Sequence, residues 1–149
     1  MIVLTAISAA DLDVAAHQAA VSAPDAGAVA LFVGTVRDND PGAAGTVVEL
    51  EYSAHPDADR FLREIAEQVD RPDVRIAVSH RVGRLPVGAA AIVAAVSSVH
   101  RADAFEVSRE LVERVKAQLP MWKKQIEDDG SHTWVGLGAV VAAGPEGAT

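Results

Sequence analysis

Lys116-Ala-Gln-Leu-Pro120-Met-Trp-Lys-Lys124-Gln-Ile-Glu127-Asp-Asp-Gly130 carries a helix end, a break, a strand and a turn in fifteen residues. Upstream of it, Phe105, Ser108, Leu111, Val112, Val115 and Leu119 recur at helical spacing, which predicts a long helix over 102–119. Pro120 ends that helix, because proline disfavours helical backbone in the residue before it. Downstream, 121–127 and 132–137 flank Asp128-Asp129-Gly130, a strong short-hairpin signal. The C-terminal part therefore reads as a helix turned sharply into a β-hairpin.

Working outward, 2–7 reads as a first strand. Ser8 with Asp11 three residues later resembles a helix start leading into 12–21. The nearly continuous apolar run 28–36 predicts a buried strand, and 37–45 a polar, glycine-rich loop. A strand over 47–52 follows, then a helix begun near Pro56, with Phe61, Leu62, Ile65 and Val69 at helical spacing. Strands are expected over 74–82 and 89–99, separated by a turn at 83–88, and residues 138–149 form a loose tail. The order β-α-β-β-α-β-β-α-β-β is α+β, with helices covering a mainly antiparallel sheet.

At 149 residues the chain is expected to be a single domain over 1–149, large enough to bury a core without metals or disulfides. It has no cysteine, which excludes thiolate metal sites and cysteine nucleophiles. The histidines show no metal-ligand spacing, so no metal is expected. A net charge of −8 argues against a nucleic-acid-binding surface, which needs a basic footprint. No apolar window approaches the ~18 residues of a membrane span, and the N-terminus lacks a basic signal-like region. These features predict a cytoplasmic protein with no membrane or nucleic-acid partner.

The basic residues are ten arginines and three lysines, and every lysine lies between Lys116 and Lys124. Arginine stays charged, whereas lysine can lose its proton and act as a nucleophile or base. Lys116 is expected at the edge of the helix's apolar face, where partial burial favours the neutral, reactive amine. Lys123 and Lys124 follow the Pro120 break; strand alternation turns them to opposite faces, so only one should join Lys116. Arg37 opens the glycine-rich loop. His100-Arg101 sits where a strand enters the long helix, an end that attracts anions and disfavours cations, so two basic residues there point to a bound anion. His80-Arg81 is a weaker candidate, lining a cleft or stabilising loops. Ser97-Ser98 lacks a nucleophile elbow, and Glu49 and Glu51 read as an exposed acidic face.

Phe32-Val-Gly-Thr-Val-Arg37, Leu50-Glu-Tyr52, His80-Arg-Val-Gly83, Val96-Ser-Ser-Val-His-Arg101 with Ala104-Phe105, and Lys116-Ala-Gln-Leu-Pro-Met-Trp-Lys-Lys124 follow in order. Together they closely resemble the catalytic (large) subunit family of molybdopterin synthase over about 27–134. The resemblance implies an α/β-hammerhead-like fold and a homodimer that binds one small ubiquitin-like sulfur carrier at each end, giving a heterotetramer. The carrier ends in a Gly-Gly thiocarboxylate, and two such sulfurs convert cyclic pyranopterin monophosphate (precursor Z) into the molybdopterin dithiolene. The enzyme is then a sulfurtransferase of molybdenum-cofactor biosynthesis with no cofactor of its own. A chain without a thiol suits such a carrier-borne sulfur.

By the same resemblance Lys116 and Lys123 are catalytic. The substrate-binding set is Thr35, Val36, Arg37, His100, Arg101, Lys116, Lys123, Lys124 and Gln125, with His100 and Arg101 supplied across the dimer. Thr35 stands where relatives can carry a lysine, and Gln125 where they often carry a glutamate. The alternative reading is a non-catalytic module that binds a phosphorylated small molecule or an acidic protein tail through the same basic cluster.

Overall fold

A computed structural model describes residues 1–40 and 43–136; the expected tail at 138–149 lies outside the described residues. Eight strands and three helices are described, in the order β1 (Ile2–Ser8), α1 (Val14–Ala20), β2 (Ala28–Thr35), β3 (Val47–Ala54), α2 (Ala58–Gln68), β4 (Val74–Arg81), β5 (Gly83–Pro86), β6 (Ala90–Ser98), α3 (Arg101–Gln118), β7 (Met121–Glu127) and β8 (His132–Gly136). They build two four-stranded sheets, β1-β4-β6-β2 and β5-β3-β7-β8. Every neighbouring pair is antiparallel except β1 with β4. The mixed α+β architecture, mostly antiparallel with covering helices, is the expected one.

The first sheet is covered on both faces, which is why β4 and β6 are apolar almost without interruption. Ile76, Val78, Ala94 and Val96 point into the main core with Leu62 and Ile65 of α2 and Leu111 and Val115 of α3. The alternate residues Ala77 and Ala95 face the other way, against Val21 beyond α1. Ser79 and Ser97 share this second face: His17 of α1 bonds Ser79 Oγ at 2.7 Å, and Ser97 Oγ donates to the Val21 carbonyl at 2.6 Å. The serine pair thus has a packing role. The main core continues through Val47, Leu50, Tyr52, Leu85 and Met121 of the second sheet.

Four expectations need correction. The first helix starts at Val14 and is capped by Asp13, whose carboxylate accepts from Ala16 N–H at 2.9 Å; Ser8 ends β1 instead. The turn at 83–88 contains a strand, β5, because β3 has a free edge to pair with it. The apolar run of β2 is not buried throughout, since β2 is an edge strand with Val29 and Leu31 about two-fifths exposed. Phe105 is not on the buried stripe of α3: it is 66% exposed, and Ala104 and Val107 fill the core positions beside it. Among the described residues no helix is long and apolar enough to cross a membrane.

Candidate active site

Pro120 makes the corner on which the site depends. Leu119, the C-cap of α3, is extended (φ −69°, ψ 121°), and the Pro120 carbonyl accepts from His55 N–H at 3.0 Å. The chain therefore leaves the helix directly into β7, which pairs with β3 in a register that puts Lys123 opposite Tyr52 and Gln125 opposite Leu50. A hairpin follows, with Gly130 at φ +83° and Glu127 N–H bonded to the Ser131 carbonyl at 2.9 Å. Its three-residue turn needs a left-handed position that glycine fills without strain.

The buried Glu127 carboxylate ties the preceding loop to this hairpin. It accepts from Ala44 N–H at 3.1 Å and from Ser131 Oγ at 3.3 Å. Val47 N–H also bonds the Asp38 carbonyl at 2.8 Å. The described parts of the loop after β2 are thereby tied to β7 and its hairpin.

A cavity of about 490 Å³ lies between these parts, a size suited to a small molecule. Lys116 from α3, Lys123 and Gln125 from β7, Thr35 and Arg37 after β2, and Asp40 from the loop all line it. Lys116, in the last helical turn, is exposed at the mouth rather than partly buried as expected. A cation there complements the negative end of the helix dipole. Lys123 is deeper, with its side chain 16% exposed and its Nζ 3.7 Å from Asp40. Lys124 faces the other side of the sheet, 3.2 Å from Glu51 and over the Trp134 ring at 5.3 Å. Strand alternation separates the two lysines in the expected sense.

Gln125 is 1% exposed, and its Oε1 has no hydrogen-bond partner. A carboxylate at this depth would need a cation, whereas the amide needs only a hydrogen bond. Val36 is buried and engaged through its backbone, its N–H on the Ala89 carbonyl at 3.0 Å and its carbonyl on Gly88 N–H at 2.7 Å. His100 and Arg101 are exposed at the start of α3 and do not line this cavity. Fifteen residues of helix separate Arg101 from Lys116, about 22 Å at 1.5 Å per residue.

Tyr52 is not among the expected site residues, whereas His80 is the weaker candidate expected to line a cleft or stabilise loops. Tyr52 and His80 line the cavity edge to face, with ring centroids 5.0 Å apart and planes at 72°. Burial pushes the Tyr52 phenol up to about 12. Burial also lowers His80, against a smaller opposing effect of its hydrogen bond to the Arg81 carbonyl. Both groups therefore stay neutral at pH 7 beside a cationic rim. The Leu50/Tyr52 alternation carried the signal for Tyr52, but a lone tyrosine in a strand reads as core.

The family model for the MoaE protein matches residues 7–118. The chain belongs to the MoaE protein family. The molybdopterin synthase catalytic subunit of Halalkalibacterium halodurans is 41% identical over 128 residues, covering 84% of this chain and 80% of that protein. Molybdopterin synthase catalytic subunit 1 of Mycobacterium tuberculosis is 40% identical over 123 residues, covering 79% and 80%. The X-ray crystal structure of molybdopterin synthase from Staphylococcus aureus superposes with a TM-score of 0.81 at 31% identity, covering 87% of this chain and 95% of that one. The MoaE match ends at residue 118, and the corner and β7 follow immediately, so Lys116 lies inside the matched span and Lys123 just beyond it.

Proposed function

We propose that this MoaE-family chain is the catalytic subunit of a molybdopterin synthase, transferring two sulfurs from a thiocarboxylated carrier to precursor Z. The observation that carries the reading is the convergence of Lys116 and Lys123, from different elements, on one small-molecule cavity. Each transfer is a net exchange of sulfur for oxygen: the carrier C–S bond and a C–O bond of the precursor break, a C–S bond forms on the precursor, and the carrier carbonyl carbon takes an oxygen by way of water and leaves as a carboxylate. Lys116, at the open mouth, meets the C-terminal tail of the small ubiquitin-like carrier and serves as general acid/base or transient amine nucleophile. Lys123, deeper and cationic, holds the substrate phosphate and stabilises developing charge. Arg37 adds a second positive group, and Thr35 and Gln125 offer neutral hydrogen bonds.

A homodimer completes the proposal. β2 begins beside the α3 N-terminus, where Gly27 N–H bonds the Ser98 carbonyl at 3.0 Å, and ends at the cavity with Thr35. A two-fold axis across this edge would set one copy's β2 start against the other's β2 end. The partner's His100 and Arg101 would then approach the cavity and supply the anion contacts missing within one chain. Val29, Leu31 and Phe105 form an exposed apolar border along this edge, which supports such a contact. With two carriers the assembly is a heterotetramer.

The test is reconstitution with precursor Z and thiocarboxylated carrier, reading dithiolene product. Lys116→Ala and Lys123→Ala should each lower the rate by about 10²-fold or more while the fold is kept. Wild-type rates in both variants would sink the catalytic assignment. Binding of precursor Z without turnover in the wild type would favour the non-catalytic module.

A further inference from the structure

His80 stands on β4, the strand between β1 and β6, opposite Ile7 on one side and Ile92 on the other. It is 7% exposed, yet it lines the cavity together with Ile92. Its neighbour Arg81 engages a different region, pairing with Asp11 and the Ala9 carbonyl. His80 is thus a wall group on a rigid central strand, not a loop residue free to turn away.

The hydrogen bonding of the ring settles which nitrogen is open. Nδ1 lies 2.8 Å from the Arg81 carbonyl oxygen. A carbonyl only accepts, so Nδ1 carries the proton and the neutral ring keeps its lone pair on Nε2. Nε2 has no hydrogen-bond partner among the described residues. The sealed side-chain atoms without a partner are Arg81 Nε, Gln125 Oε1 and Trp134 Nε1, and His80 Nε2 is not one of them. An unpaired atom that is not sealed in reaches open space, and the open space lined by His80 is the cavity. Tyr52 holds the ring by its edge-to-face contact at 5.0 Å.

The polar groups of the cavity differ in kind. Lys116 at the mouth, Lys123 deeper on β7 and Arg37 after β2 supply positive charge and donors. The β4 wall offers a fixed, neutral acceptor. An anionic ligand whose charge is met by these cations presents its other end to that acceptor, and an unfilled buried acceptor is costly.

We propose that His80 is a substrate-contacting, specificity-determining residue, whose Nε2 accepts a hydrogen bond from an N–H or O–H donor on the uncharged ring end of the anionic substrate. This rests on the synthase reading of the same cavity. It predicts selection for a nitrogen heterocycle bearing ring N–H or amino donors over an equally charged ligand without them.

Precursor Z binding is measured by calorimetry and turnover by reconstitution, for the wild type, His80→Phe and His80→Gln. His80→Phe keeps a ring against Tyr52 but removes the acceptor. It should raise the dissociation constant for precursor Z about tenfold, leaving carrier affinity unchanged. His80→Gln returns an acceptor at similar reach and should recover much of that loss. Wild-type binding and turnover in His80→Phe would overturn the proposal. Equal losses in both variants would also overturn it, since they would mark His80 as packing alone. A wild-type protein that neither binds nor converts precursor Z would instead sink the synthase reading, and this inference with it.

Discussion

Tyr52 is the chain's one tyrosine, and its phenol is held from 10.0 up to about 12 by burial in the cavity wall. The folded state grips that proton more tightly than the unfolded chain does. Its stabilising effect is complete below about pH 10 and is lost as pH rises through about 12. Stability should fall over this window by up to about 3 kcal/mol. Denaturant unfolding of the wild type and Tyr52→Phe, compared at about pH 9 and about pH 11.5, would measure it; an equal drop in both would assign the alkaline slope to other groups. At this scale the lysines were legible because all three amines cluster in one short stretch, and period-two alternation separates Lys123 from Lys124. Lys116 was misjudged in burial. It shares the edge of an apolar face, but the face ends at a cavity mouth, which periodicity does not reveal.

At the scale of elements, the entry to β2 is the tightest point. A Cβ added to Gly27 would sit 2.5 Å from the Val99 carbonyl oxygen, a backbone atom that cannot swing aside. Gly27→Ala should therefore cost about 1–3 kcal/mol, seen as a lower denaturation midpoint. An unchanged midpoint would mean that the β2–β6 end tolerates separation. Pro120 works at the same scale by converting helix into strand within one residue, which lets an amine from α3 and one from β7 share a cavity. This corner was readable because proline acts locally. The strand β5 was not: Gly83 and Gly88 both have positive φ and signal turns, at 93° and 89°. What makes the residues between them a strand is the β3 edge, which is distant in sequence.

For the molecule as a whole, both sheets share one core, while Val29 and Leu31 of β2 and Phe105 of α3 remain exposed. A homodimer built on that border should be broken by a charge. Leu31→Asp should halve the mass seen in sedimentation and lower synthase turnover by about tenfold or more, as the anion contacts from the partner are lost. A dimer that survives this change would move the interface elsewhere. The charge pattern agrees with a local site: the chain is −8 overall, yet Arg37, Lys116 and Lys123 meet at one cavity.

Local chemistry in the sequence was enough for the α+β class, the long helix, the Pro120 corner and the hairpin, and it singled out the three-lysine cluster, from which the family resemblance chose Lys116 and Lys123. Those features depend on neighbours within a few residues, through backbone restriction and the periods of helix and strand. The tertiary structure alone decided that there are two sheets, that β2 is an edge, and that Phe105 faces outward. It alone set Tyr52 and His80 as neutral walls opposite the amines. Sheet order, edge position and the open nitrogen of a histidine arise from contacts between distant segments, and no local pattern encodes them.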